Sequence, residues 1–193
     1  MRTGELSPAG ETGGCDGLGR ALRLLQGPPA SIPELCAAFA GVPEFPTARR
    51  LIAAELGMRA AALDSLERVL LLSGPWSLLR ACAEVRVASD SNRRDRIAGA
   101  IGCRELGRYL GLHAMPELYL ASLTQQVPGR LCKQTFEALE SVACRFTRCG
   151  DLGRSRRSLA ELRIPRCAVR ALWNRIQLQT DRTLQRLDEV LTP

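Results

Sequence analysis

General acid–base and nucleophilic chemistry need a titratable group poised near neutrality. The 193-residue chain offers one histidine, His113, set between Leu112 and Ala114 in a short turn. Eight cysteines (Cys15, Cys36, Cys82, Cys103, Cys132, Cys144, Cys149 and Cys167) could supply a thiolate. None sits in a catalytic signature, and a setting such as Leu35-Cys36-Ala37 is that of a small buried hydrophobe. Structural zinc takes four ligands in tight pairs, and the closest pair of thiols, Cys144 and Cys149, has no second pair to join it. Phosphate cradles are missing too: there is no Gly-x-x-x-x-Gly-Lys-Ser/Thr run, and Gly17-Leu18-Gly19 follows no strand. The expectation is a protein without a catalytic residue, a metal site or a cofactor.

Nucleic-acid chemistry leaves two patterns. Gly99-Ala100-Ile101-Gly102 has the letters of an RNA-clamping loop but lacks the β-sheet that such a loop needs. Arg104–Leu112 followed by Met115–Leu123 can be drawn as helix, glycine turn, helix, the outline of a DNA-binding motif. Its second helix offers Glu117, Tyr119, Ser122 and Thr124, with no Arg or Lys before Arg130 to meet bases and phosphates. A DNA-binding regulator using this segment, or Arg154, Arg156, Arg157, Arg163 and Arg166, is therefore the alternative rather than the leading reading.

Charge is the next constraint. The net charge of +7 is concentrated late: Arg130–Pro193 carries 12 Arg and Lys133 against 7 acids, whereas the preceding residues are nearly balanced. Because 26 of the 27 basic residues are Arg, part of this bias follows codon composition as readily as ligand choice. Apolar runs such as Val69-Leu70-Leu71-Leu72 are far short of the roughly 20 residues that cross a bilayer. Met1–Gly14 lacks the apolar core of a signal peptide, so a cytosolic protein with reduced thiols is expected.

The elements that must position any site are helical throughout. From Asp16 onward apolar residues recur at three and four, and no β-branched or aromatic stretch alternates with period two. Leu18, Leu22 and Leu25 stripe a first helix stopped by Gly27-Pro28-Pro29, and Ser31-Ile32-Pro33-Glu34 has the form of a capping box. Pro46-Thr47 opens a helix ending at Gly57, and Ala61–Ser73 reads as one further helix. Gly74-Pro75 then precedes a short segment, Trp76–Cys82. Ser89–Asn92 caps Arg93–Ala100, Gly102 interrupts, and Arg104–Leu110 resumes. Pro116 begins a helix reaching about Gln126, and Leu131, Thr135, Ala138, Leu139, Val142 and Phe146 line another. Pro165 opens the longest, striped by Val169, Trp173, Ile176, Thr180, Leu184, Leu187 and Leu191 and suited to one partner helix or groove. The fold class expected is all-α: an irregular bundle of short helices with a long C-terminal helix. Residues 1–14 form an N-terminal segment, 15–129 a helical domain, and 130–193 a basic helical segment packed on the same body.

Three stretches carry a family resemblance: Ala61-Ala62-Leu63-Asp64-Ser65-Leu66-Glu67-Arg68-Val69-Leu70-Leu71-Leu72-Ser73-Gly74, then Arg93-Arg94-Asp95-Arg96-Ile97-Ala98-Gly99, then Leu106 with Leu110-Gly111. A leucine-rich helix, a basic pair before an Ile-x-Gly turn and a helix ending in Leu-Gly make Leu51–Leu123 resemble the SctK (YscK-like) proteins of bacterial type III secretion systems. The resemblance implies a helical, non-enzymatic adaptor of the cytosolic sorting platform that bridges SctQ-type and SctD-type secretion proteins, with no small-molecule substrate, no cofactor and no membrane insertion. It would be cytoplasmic, or peripheral at the inner-membrane secretion apparatus. Such an adaptor anchors partners with large aromatic residues rimmed by arginine. The partner-binding candidates are accordingly Trp76, Tyr119 and Trp173, with Arg154, Arg156 and Arg157.

Overall fold

The computed structural model describes residues 17–113, 115–125, 132–148 and 164–192. Among these residues it is all α-helical without a strand. The helices are α1 (Gly17–Gln26), α2 (Ile32–Phe39), α3 (Phe45–Glu55), α4 (Leu66–Ser73), α5 (Pro75–Ala88), α6 (Arg93–Tyr109), α7 (Met115–Thr124), α8 (Lys133–Arg148) and α9 (Arg166–Leu191). No helix among the described residues is long and apolar enough to cross a membrane.

Two helices form the centre. α5 packs on α1, α3, α4, α6, α7 and α9, while α6 packs on α7, α8 and α9. Leu78, Leu79, Ala81 and Cys82 of α5 and Ile97, Ala100, Ile101, Cys103 and Leu106 of α6 are almost wholly removed from water. Phe39, Leu51, Ile52, Leu118 and Phe146 close the core from the surrounding helices.

Three boundaries differ from the sequence reading, each for a local reason. Ala61–Ser73 is not one helix. A 3-10 turn, Ala60–Ala62, gives way to α4, whose N-cap Ser65 accepts the Arg68 N–H on its Oγ at 3.2 Å. A serine flanked by aspartate supplies the polar acceptor that a helix start requires. The segment after Gly74 does not stop at Cys82 but runs to Ala88, because Ala83, Val85, Val87 and Ala88 all find buried sites. Burial there outweighs the modest helix propensity of valine.

Gly102 does not interrupt α6. A Cβ on Gly99 would stand 3.3 Å from Cys144 Sγ, and one on Gly102 would stand 3.3 Å from Ala143 Cβ, so both glycines mark the close approach of α8. The stripe of α8 also shifts: Phe136, Leu139, Val142, Ala143 and Phe146 face inward, while Thr135 and Ala138 are exposed.

The long C-terminal helix lies against the body. Val169, Leu172, Ile176, Thr180, Thr183 and Leu187 are buried on one face of α9, which rests on α6, α3 and α5. Charged pairs run along this seam: Arg93 to Asp188 and Arg94 to Asp181, each at 2.8 Å, and Arg186 to Glu55. Leu191, placed in the stripe by spacing, is exposed at the helix end.

Candidate partner-binding groove

Gly74 adopts a left-handed φ of 77°, a conformation open to glycine, and turns the chain so that Pro75 can open α5. Trp76 therefore stands in the first turn of α5, half-buried, and faces α7. Tyr119 sits in the middle of α7 and is buried. Trp76 and Tyr119 line one cavity of about 330 Å³ with Pro116, Leu120, Ser77, Arg80, Arg104 and Arg108. Its lining combines apolar and aromatic side chains with three guanidiniums.

Arg80, Arg104 and Tyr119 are shared with a second cavity of about 480 Å³ between the body and α9. Glu84 and Ile101 line it from the body; Gln179, Arg182, Thr183, Gln185, Arg186 and Glu189 line it from α9. Arg80, Arg104 and Tyr119 thus line both cavities, the first of which contains Trp76 and the second of which lies against the C-terminal helix.

At their junction the Tyr119 hydroxyl donates to Glu84 Oε1 at 2.8 Å, and Arg80 Nη1 stands 3.6 Å from the same oxygen. Glu84 Oε2 is buried without a hydrogen-bond partner among the described residues. The Arg104 guanidinium lies over the Tyr119 ring, 5.2 Å from its centroid, a cation–π arrangement. Burial pushes the Glu84 carboxyl above its ordinary value, opposed by Arg80 and by the Tyr119 hydrogen bond. Burial, and then the neighbouring Glu84, holds the Tyr119 phenol well above its ordinary value.

The arginines are held in place from behind. Glu55 on α3 takes both Arg80 and Arg186, so three helices meet at one carboxylate. Glu105, itself only 1% exposed, lies 3.4 Å from Arg104, 3.5 Å from Arg175 and 3.7 Å from Arg108. Arg104 also donates to Gln179 of α9. A buried carboxylate surrounded by several guanidiniums fixes their orientation more than it adds stability.

Other candidates fall elsewhere. Trp173 on α9 packs edge-to-face on Phe146 of α8, with ring centroids 5.2 Å apart, away from the groove. Arg154, Arg156, Arg157 and Arg163, like Cys15 and Cys149, lie outside the described residues. The helix drawn as a DNA reader is α7, whose six consecutive residues Leu118–Leu123 are all buried. His113 is exposed in the turn between α6 and α7.

Sequence reasoning missed Arg80, Glu84, Arg104 and Glu105. A signal existed for Glu84, the one charge within the otherwise apolar Ala81-Cys82-Ala83-Glu84-Val85. A carboxylate in such a run needs a buried partner.

The fold defines the class: an all-α multi-helix protein with a long C-terminal helix. No family model, curated protein or solved structure matches the chain.

Proposed function

We propose that the chain is a non-enzymatic adaptor of a bacterial type III secretion system, bridging an SctQ-type sorting-platform protein to the SctD-type inner-membrane ring protein from the cytoplasmic side. The observation that supports this reading is the Trp76–Tyr119 groove. Its lining residues, on α5, α6 and α7, all fall inside the Leu51–Leu123 stretch that carries the SctK-like pattern. An aromatic and apolar lining beside arginine is the composition of a protein-binding hot spot, where truncating a central tryptophan costs about 2 kcal/mol or more.

Co-purification of the tagged chain with an SctQ-type or SctD-type protein from its native cells tests the reading, and Trp76→Ala is expected to weaken that capture. Normal effector secretion after deletion of the gene would overturn it.

A further inference from the structure

We infer that the cavity holding Trp76 receives one bulky apolar side chain from an acidic segment of a partner protein, with the carboxylates beside that side chain meeting Arg108 and Arg175. The inference rests on the reading of this site as a partner-binding surface and names the chemistry of what is bound there.

Two features of the site select that occupant. The first is the lining. Trp76, Pro116, Tyr119 and Leu120 bring apolar surface to a cavity of about 330 Å³, and no carboxylate is among its lining residues. That volume lies at the lower end of ligand pockets, which run from about 300 to 1,000 Å³, and suits a single large side chain. The second is charge. Arg104, Arg108 and Arg175 converge on the one carboxylate of Glu105, at 3.4, 3.7 and 3.5 Å. Arg104 is mostly covered and is also held by Gln179. Arg108 and Arg175, by contrast, are 57% and 54% exposed, and neither has a second carboxylate partner among the described residues. Three cations on one anion leave two positive charges over. Arg80, on the other wall of the cavity, is matched by Glu55 and Glu84 and stays outside that count.

The charge and the cavity are joined by Arg108, which lines the cavity and shares Glu105 Oε2 with Arg175, so that the two exposed guanidiniums are neighbours. Glu105 already sets their orientation, so less side-chain freedom is lost when each takes up a carboxylate fork. Being half in water, they lose little solvation and contribute encounter rate and selectivity, while the apolar anchor beside Trp76 supplies affinity. A nucleic-acid strand spreads its phosphates along a track of cations; two guanidiniums beside one apolar cavity match an anchor side chain flanked by acids.

The test pans random short peptides displayed on phage against the full chain. The recovered peptides are expected to hold Phe, Trp, Leu or Met beside Asp or Glu. In calorimetric titration of the strongest of them, changing its anchor to Ala or its acids to amides should weaken binding about tenfold or more. Arg108→Gln combined with Arg175→Gln should weaken it by a similar factor, with Trp76→Ala as a second variant and thermal melting to show that each is folded. Recovery of no peptide, of basic or uncharged peptides, or of peptides that bind the double arginine variant equally well would overturn the inference. So would tighter binding of an oligothymidylate than of any peptide. Panning uses no secretion protein, so the two readings fail separately. Acidic peptides selected by a chain that captures neither an SctQ-type nor an SctD-type protein would remove the secretion adaptor and leave this inference standing. Capture of either protein that survives both the double arginine variant and Trp76→Ala would do the reverse.

Discussion

The Tyr119 hydroxyl donates to Glu84 Oε1 across the α5–α7 contact at 2.8 Å, and both side chains are buried. Among the described residues this is the one neutral donor to Glu84, its other near neighbour being the Arg80 guanidinium at 3.6 Å. Tyr119→Phe keeps the ring and the packing but leaves Oε1 without its donor. Removing one partner of a buried hydrogen bond costs about 1–3 kcal/mol, which the urea midpoint of the variant will read.

Glu84 also gives stability a pH dependence of definite sign. Burial raises its folded-state affinity for a proton above that of the unfolded chain, with Arg80, Tyr119 and Arg186 opposing and Glu55 reinforcing the shift. The folded state therefore holds more protons than the unfolded state once the pH passes the ordinary value of 4.5, and stability from this group falls as pH rises from there. Glu84→Gln removes the effect. Wild type and variant should differ least below pH 4.5, and the variant should gain relative stability as urea titrations move toward neutrality.

Gly99 and Gly102 lie on the same face of α6, but what each meets on α8 differs. A methyl at Gly102 meets Ala143 Cβ at 3.3 Å and Thr147 Cγ2 at 3.4 Å, atoms close to the α8 backbone that cannot swing away. A methyl at Gly99 meets only the Sγ of Cys144. Replacing helical glycine by alanine gains up to about 1 kcal/mol, while overpacking costs about 1–3 kcal/mol. Gly102→Ala is thus expected to be destabilising and Gly99→Ala neutral to stabilising, compared by thermal melting.

The fold class was legible because helical periodicity is written in the spacing of leucines, and Gly27-Pro28-Pro29 and Gly74-Pro75 stop helices wherever the chain goes next. Gly102 was misleading for the opposite reason: in isolation it weakens a helix, and only the approach of Ala143 and Thr147 on α8, more than forty residues on, makes its missing side chain useful. The groove was half legible. Trp76 and Tyr119 stand out by residue type, but that they share a cavity depends on how α5 packs on α7, and no local pattern encodes that pairing. Glu105 was hidden among the charges of Arg104-Glu105-Leu106-Gly107-Arg108, where nothing local marks the one that is buried.

Thiol reactivity should separate the cysteines by environment. Cys132, exposed just before α8, has its pKa lowered by hydrogen bonds from the backbone N–H groups of Thr135 and Gln134. Cys82 is buried and pushed up to about 12, and burial raises Cys103 further. Since the thiolate is the nucleophile, iodoacetamide at neutral pH should label Cys132 first and reach Cys82 and Cys103 only on unfolding. Peptide mass spectrometry over time reads the order directly, and early labelling of Cys103 would contradict the packing of α6 on α8.

Two kinds of contact hold α9 to the body, and their magnitudes decide which dominates. Ile176 is fully buried on the α9 face that rests on the body, and truncation to alanine at such a site costs about 2–5 kcal/mol through lost transfer energy and the cavity left behind. The Arg93–Asp188 pair is close, at 2.8 Å, but its side chains are 37% and 52% exposed, so solvent screens it. Asp188→Asn is expected to cost no more than about 1 kcal/mol. Leu178, on the outer face of the same helix and half exposed, should tolerate alanine with little change. Amide hydrogen exchange along residues 166–191 distinguishes the three: Ile176→Ala should expose the whole helix to exchange, while the other two leave its protection nearly intact.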